Sequence, residues 1–365
     1  MNIATGIYTE AELLKALYDN SREVYYRYTI FNTQNQMLGY LEIEDGQVSF
    51  DSGNDVMRTF TGSTRASDLF NLTSTDFYLI PWMCLRYRND IVKWPLGKFL
   101  VNPAENYQNN MSIIQITGYD LGKIALDDKS DSRIYAATNA IYTSLASQIA
   151  GTMYSQVDVE VSTKTNPSDL EWEIGTEKLK IINDLMASIS YNPLYFDENG
   201  IGHMNEYVEY SDRNIERVYE DSEQSIIIDG LANSTNKFEV PNKFIRYVEN
   251  PDAAYLISTY TNTDPASPYS TVSRGRTIVD SASIDNIASQ ADLDSYVRKI
   301  AAEKMQSVET LEFTTLNMPG HGFKNCLLVA VTSYGINNKY IEVGWEMDLS
   351  RGGTMKHRCE KVVNV

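Results

Sequence analysis

The chain has 365 residues, enough for about two domains at the usual ~150 residues each. Its 42% hydrophobic and 22% charged content suits a folded globular protein and excludes wholesale disorder. With 49 acidic against 31 basic side chains the formal charge is −18. Such a surface repels phosphate and argues against gripping nucleic acid, though not against a passage through which nucleic acid slides.

The N-terminal MNIATGIYTEAELLKALYDN lacks a basic start followed by an apolar core, so it does not read as a secretory leader. It reads as a helical arm over 1–19, with Thr9 as N-cap and Glu12 as its reciprocal partner. Period-two alternation then dominates 20–125. Tyr26, Tyr28 and Ile30 alternate with Arg27 and Thr29, Leu41 and Ile43 with Glu42 and Glu44, and Met83, Leu85 and Tyr87 with Cys84, Arg86 and Arg88. Asn89-Asp90 offers a tight turn, and Ile114 and Ile116 continue the pattern. This predicts an antiparallel sheet or barrel.

Residues 126–210 change character. After the polar DDKSDS, a helix is predicted with Ile141, Leu145 and Ile149 on one face, then a short strand VDVEV. A second helix follows Gly175-Thr176, its stripe made by Leu179, Ile182, Leu185, Met186 and Ile189. Asn199-Gly200 between apolar stretches signals a hairpin. The segment is expected to be a small α/β insert.

Residues 211–365 return to strands around one long helix at about 289–307. That helix opens on Ser289 and Asp292 at capping spacing, with Leu293, Val297, Ile300, Ala301 and Met305 on its apolar face. Residues 261–275 read as an exposed loop. The clearest alternation of all sets Ile341, Val343, Trp345 and Met347 against Glu342, Gly344, Glu346 and Asp348. No stretch approaches the ~20 apolar residues of a membrane helix. The 25 tyrosines against 11 phenylalanines suit half-buried strands and protein interfaces alike.

The chain offers no constellation of catalytic or ligating residues. His203, His321 and His357 are scattered, without HExxH or a His/Cys cluster, so no metal ligand is expected among them. FDENGIG resembles a calcium loop only superficially, because the twelfth position from Asp197 is Val208. Cys84, Cys326 and Cys359 are odd in number, lack CxxC spacing and read as inert buried thiols in a reducing compartment. Cys359, two residues after His357, shares a strand face with it for packing reasons. No GxSxG, GxxxxGK[ST] or GxGxxG is present. Glu171 and Glu173 around Trp172 could imitate a sugar-cleaving pair with a stacking platform, and a strand edge explains them as well. No catalytic, cofactor-binding or metal site is therefore expected, and no cofactor.

The order of segments does resemble a family. PLGKFLV (95–101) and ITGYD (116–120) precede EWEIGTEKLKIINDLMASISYNPLYFDENG (171–200). SQADLDSYVRKIAAEKM (289–305), LEFTTLNMPGHGFKNCLLV (311–329) and KYIEVGWEMDLSRGGTMKH (339–357) follow. Over about residues 20–362 this is similar to the hub proteins of phage tail baseplates and of phage-derived contractile particles such as R-type bacteriocins and PBSX-like elements. The resemblance implies a mainly β, α+β chain with two tube-like antiparallel β-barrel domains. It implies a homotrimer that adapts a six-fold tail tube to a three-fold spike, lining a channel through which DNA passes without specific binding. Tail tube, central spike, tape-measure and other baseplate proteins are the implied partners, and the virion tail, assembled in the host cytoplasm, is the implied location. No enzymatic activity is implied, since longer relatives carry lysin-like extensions that this chain lacks. Two alternatives stay open: the tube-facing part of a non-contractile tail-tip protein, and a tail-associated glycosidase or carbohydrate-binding protein.

Overall fold

The computed structural model describes residues 3–65, 76–101, 113–223, 225–235, 238–248, 255–284, 287, 289–306 and 309–362. Helix α1 (Glu10–Tyr18) starts at the predicted capping box. Thr9 Oγ1 accepts the Glu12 N–H, and the Glu12 carboxylate accepts the Thr9 N–H at 3.0 Å. Its inner face buries Leu13 and Leu17 in the main core.

Strands β1 (Glu23–Phe31), β2 (Met37–Leu41), β3 (Glu44–Asp51), β4 (Arg58–Arg65), β5 (Phe77–Tyr87), β6 (Asp90–Pro95), β7 (Phe99–Val101) and β8 (Ile113–Tyr119) follow. They lie in the order β3-β4-β8-β7-β5-β1-β2, with β6 hairpinned on β5. The β5–β6 turn is made by Arg88 and Asn89, one residue earlier than predicted, and Arg88 takes the left-handed backbone (φ 56°). The alternation at 41–44 does not make one strand. The chain leaves β2 after Leu41 and re-enters the sheet elsewhere as β3, through a register shift between Glu44 and Gln47. Asp45 there has φ 53°, and Gly46 is packed so closely on the Tyr28 hydroxyl that no Cβ fits.

The insert contains α2 (Gly122–Asp127), β9 (Ile134–Ala136), α3 (Tyr142–Gly151), β10 (Val157–Val159), β11 (Leu170–Trp172), α4 (Lys178–Ser188), β12 (Tyr195–Phe196) and β13 (Gly202–Met204). It has its own core, including Tyr142, Ala146, Trp172, Ile182, Leu185 and Phe196. Helix α4 buries its predicted stripe. Helix α3 does not, because it begins at Tyr142. The large Tyr142 ring, Ala146 and Ile149 are buried, while Ile141 is exposed and Leu145 only half-buried. The hairpin at Asn199-Gly200 is present, with Gly200 at φ 78°.

The last part holds β14 (Arg217–Glu220), β15 (Ile227–Thr235), β16 (Lys243–Val248), β17 (Leu256–Thr261), α5 (Thr271–Arg274), β18 (Val279–Ser283), α6 (Gln290–Gln306), β19 (Glu309–Leu316), β20 (Cys326–Val331), β21 (Ile336–Asp348) and β22 (Thr354–Lys361). Ser289 caps α6 by accepting the Asp292 N–H at 3.1 Å. The helix covers the three-stranded sheet β17-β16-β18, with Val297, Ala301 and Met305 on Phe244, and Leu293 on Val248. It is also pinned to the insert, where the buried Lys299 ammonium donates to the Tyr191 carbonyl at 2.7 Å and Lys164 pairs with Asp292 at 2.6 Å.

The protein is thus mainly β, of the α+β class. The two β units of the sequence are the two ends of one continuous 14-stranded sheet, β15-β19-β22-β21-β3-β4-β8-β7-β5-β1-β2, with β14, β20 and β6 branching from it. The junction is the long β21, whose C-terminal half pairs with β3 from Gly344 opposite Asp51 to Asp348 opposite Gln47. One core runs beneath both ends, joining Phe60, Leu79 and Phe99 to Phe313, Leu327 and Met355.

Candidate functional site

At that junction the alternation of β21 breaks. Glu342 lies opposite Cys359 but Gly344 lies opposite Arg358, so Val343 is an extra residue, a β-bulge. The inward phase therefore passes from Tyr340 and Glu342 to Trp345 and Met347, and Glu342 points into the core with 0% exposure. The prediction that Glu342 faces away from Trp345 and Met347 is overturned for this reason. Gly344 permits the bulge, since a Cβ there would lie 3.1 Å from the Phe50 carbonyl oxygen.

Around Glu342 the fold assembles a polar chain from four further segments. His321, in the connection between β19 and β20, places Nδ1 2.6 Å from Glu342 Oε2. His357 on β22 places Nδ1 2.6 Å from Oε1. Each outer imidazole nitrogen meets a hydroxyl: the Tyr219 hydroxyl lies 2.8 Å from His321 Nε2, and Thr315 Oγ1 lies 2.8 Å from His357 Nε2. Both imidazoles are buried, and Phe313 stacks on His357 with ring centroids 4.5 Å apart.

Burial works against ionised Glu342, but His321 and the hydrogen bonds from both imidazoles outweigh it and hold the carboxyl down at about 2. Burial likewise pushes the His321 imidazole down to about 4, against the pull of Glu342. At neutral pH the network therefore contains a carboxylate accepting two Nδ1–H donors, with Tyr219 donating to His321 Nε2. Burial raises the Tyr219 hydroxyl far above its ordinary range. Two buried arginines flank the cluster. Arg58 donates to the carbonyls of Leu96 (2.8 Å) and His321 (3.2 Å) and lies over the Trp345 ring, tying β4 to the β19–β20 connection. Arg217 lies near His321, and none of its three guanidinium nitrogens has a hydrogen-bond partner among the described residues.

Two imidazoles and a carboxylate whose ligand atoms lie within 4.8 Å of one another are a set that can hold a divalent ion. The spacing in this structure is that of hydrogen bonds, and a divalent ion would add charge beside Arg217 and Arg58 with one carboxylate to balance it. As built, the arrangement is a clamp joining three neighbouring segments of the β19–β22 region. Sequence reading left His321 and His357 scattered, and folding brings them onto one acid. The available signal was a glutamate inside an apolar strand followed by a glycine two residues on.

The other residues singled out by sequence do not join this cluster. His203 lies on β13, 3.4 Å from Asp197 and 3.5 Å from Asp158, and hydrogen bonding to Asp197 raises its pKa against the effect of burial. The Asp197 carboxylate accepts the N–H groups of Asn199 and Ile201, as a hairpin turn requires. Trp172 is buried and donates to Asp184 at 3.1 Å, so its face is no stacking platform. Glu171 and Glu173 both engage Arg133, at 2.6 and 3.2 Å. All three cysteines are buried and free, and Cys359 shares the inward face of β22 with His357.

No protein-family profile matches this sequence, and no match is found among curated proteins. Solved structures do match. The tail protein from Neisseria meningitidis aligns with TM-score 0.65 at 12% identity, covering 92% of this chain and 96% of that one. The 43 kDa tail protein of prophage MuSo2 from Shewanella oneidensis aligns with TM-score 0.63 at 10% identity, covering 93% and 98%. A prophage tail protein from Listeria monocytogenes aligns with TM-score 0.52 at 10% identity, covering 91% and 94%. At these identities the likeness is one of fold, and it is the phage tail protein fold that the resemblance of segments implied.

Proposed function

We propose that this chain is a structural hub of a phage-type tail baseplate, a homotrimer that joins a six-fold tail tube to a three-fold spike. The observation that carries the reading is the likeness of fold to tail proteins over nearly the full length of both chains. The continuous sheet supports it. Two β units are joined side by side by the pairing of β21 with β3, so three chains present six such units. In this reading the tape-measure protein and DNA pass through the ring, and the overall charge of −18 disfavours adhesion of DNA to its wall. Tube, spike and further baseplate proteins are its neighbours in the virion tail, and host cytoplasm is the place of assembly. The role has no catalytic step, in keeping with the burial of Trp172 and the engagement of Glu171 and Glu173 by Arg133.

Sedimentation velocity at micromolar concentration, followed by electron microscopy of negatively stained particles, tests this. The expected result is a three-fold ring. A monodisperse monomer that forms no ring at any concentration overturns the reading.

A further inference from the structure

Strand β14 ends its branch of the sheet, since among the described residues it pairs with β20 alone. Glu216, just before it, gives its N–H to the Cys326 carbonyl of β20 at 2.8 Å. Backbone groups along a strand alternate between its two edges, so those of Arg217 and Tyr219 turn to the edge that β20 leaves open. A groove of about 890 Å³ follows that edge, walled on its far side by α1 through Ala11, Leu14 and Tyr18. Every residue of 215–220 lines it. Successive side chains of a strand point to opposite faces, so a groove that meets all of them runs along the edge rather than over a face.

The groove holds an unanswered charge. Three arginines are buried among the described residues, and two of them find acceptors: Arg58 in the carbonyls of Leu96 and His321, and Arg246 in Asp280 at 2.8 Å. The third, Arg217, lines the groove at 4% exposure, and its guanidinium has no hydrogen-bond partner among the described residues. Burial raises the pKa of the Tyr18 hydroxyl on the α1 wall and the Arg217 charge opposes that rise, so the guanidinium acts across the groove. A guanidinium stays charged at any working pH and cannot relieve its burial by losing a proton, so it needs an acceptor. A carboxylate is the group that its planar fork of N–H donors fits. Much of the remaining wall is apolar, with Ile215 and Val218 45% and 42% exposed. Half-buried Glu10 and exposed Glu220 also line it, without ion pairs among the described residues, and repel any further acid.

We propose that this groove receives an extended segment of another protein, which adds to the free edge of β14 as a strand and places one carboxylate on Arg217. Main-chain hydrogen bonds at Arg217 and Tyr219 hold the segment, and the aspartate or glutamate that meets Arg217 sets its register. Its other side chains are aliphatic or hydroxyl-bearing, to match Leu14, Ile215 and Val218, and Glu10 and Glu220 exclude acid-rich sequences. Such a segment docks whether or not the chain is a hub.

Hydrogen–deuterium exchange of the full chain tests this, with two pools of short blocked peptides as probes. One pool has glutamate fixed at its centre and valine, isoleucine, leucine, threonine or serine elsewhere, and the other has glutamine at the centre. The glutamate pool is expected to slow exchange in a fragment spanning 215–220. The glutamine pool is expected to need a concentration roughly tenfold higher or more for the same protection. Arg217→Met is expected to abolish the difference between the pools. Its urea midpoint without peptide is expected to hold or rise, because an uncompensated buried charge has been removed. Protection by neither pool overturns the proposal, and so does equal protection of wild type by both. A lower urea midpoint for Arg217→Met also overturns it, because the guanidinium would then stabilise the chain without a partner. Protection of 215–220 that grows with protein concentration and needs no peptide makes a second copy the occupant and overturns the assignment to a different protein.

Discussion

Replacing Glu342 by glutamine isolates the buried clamp with almost no change of volume. The carboxylate accepts one Nδ1–H from His321 and one from His357, each at 2.6 Å. Glutamine keeps one acceptor oxygen and turns an amide N–H₂ toward the second imidazole, donor against donor. A hydrogen bond to a charged group contributes about 1.5–3 kcal/mol, and a buried donor left without an acceptor costs about 1–3 kcal/mol. Together they predict a loss of about 3–5 kcal/mol, the range for breaking a fully buried pair. Urea denaturation of Glu342→Gln beside wild type at pH 7 measures it. The pH dependence supplies a second check. The Glu342 carboxyl is held at about 2, below its ordinary 4.5, so its stabilisation is fully present above about pH 4.5 and is lost as pH falls toward 2. The deficit of the variant is therefore expected to be largest at neutral pH and to shrink below pH 4.5. A deficit under about 1 kcal/mol at pH 7, or one that does not change with pH, would refute the claim that an ionised carboxylate holds these imidazoles.

Three further outcomes are expected. His321 is held at about 4, below its ordinary 6.5, so its neutral burial stabilises the fold above pH 6.5 and this is lost as pH falls toward 4. His321→Gln should flatten that limb of the stability profile in acid titrations followed by tryptophan fluorescence. Leu293→Ala empties a fully buried site between α6 and β16 and is expected to cost about 2–5 kcal/mol, with faster amide exchange concentrated in 243–248, 256–261 and 290–306. Gly200→Ala places a Cβ 2.9 Å from the Lys98 Cβ at a residue with φ 78°, and should lower stability by about 1–2 kcal/mol in the same urea assay.

Much of the fold was legible because its local signals are strong and mutually consistent. The Thr9 and Ser289 caps, the apolar stripe of α4 and the Asn199-Gly200 hairpin are each set by residues within a few positions of one another. They appear where the sequence placed them, to within a residue or two. Legibility fails where a side chain far away in sequence decides. The alternation at 41–44 looks like one strand, but the packing of Tyr28 on Gly46 and the pairing partners waiting on either side divide it between β2 and β3. The face of α3 is turned by burial of the Tyr142 ring, which periodicity of small and aliphatic residues does not foresee.

The candidate site is the extreme case. Composition, alternation and turn chemistry by themselves determined a mainly β chain with an α/β insert, and the order of its segments pointed to the tail protein fold. Only the tertiary structure decided that β21 joins β3, so that both β units become one sheet, and that a single extra residue at Val343 reverses the phase of the strand. Strand period is a local property and carries Glu342 toward solvent. A bulge is chosen by the register of the strands on both sides, which no window along the chain contains, and it carries the same side chain inward onto two histidines from other segments.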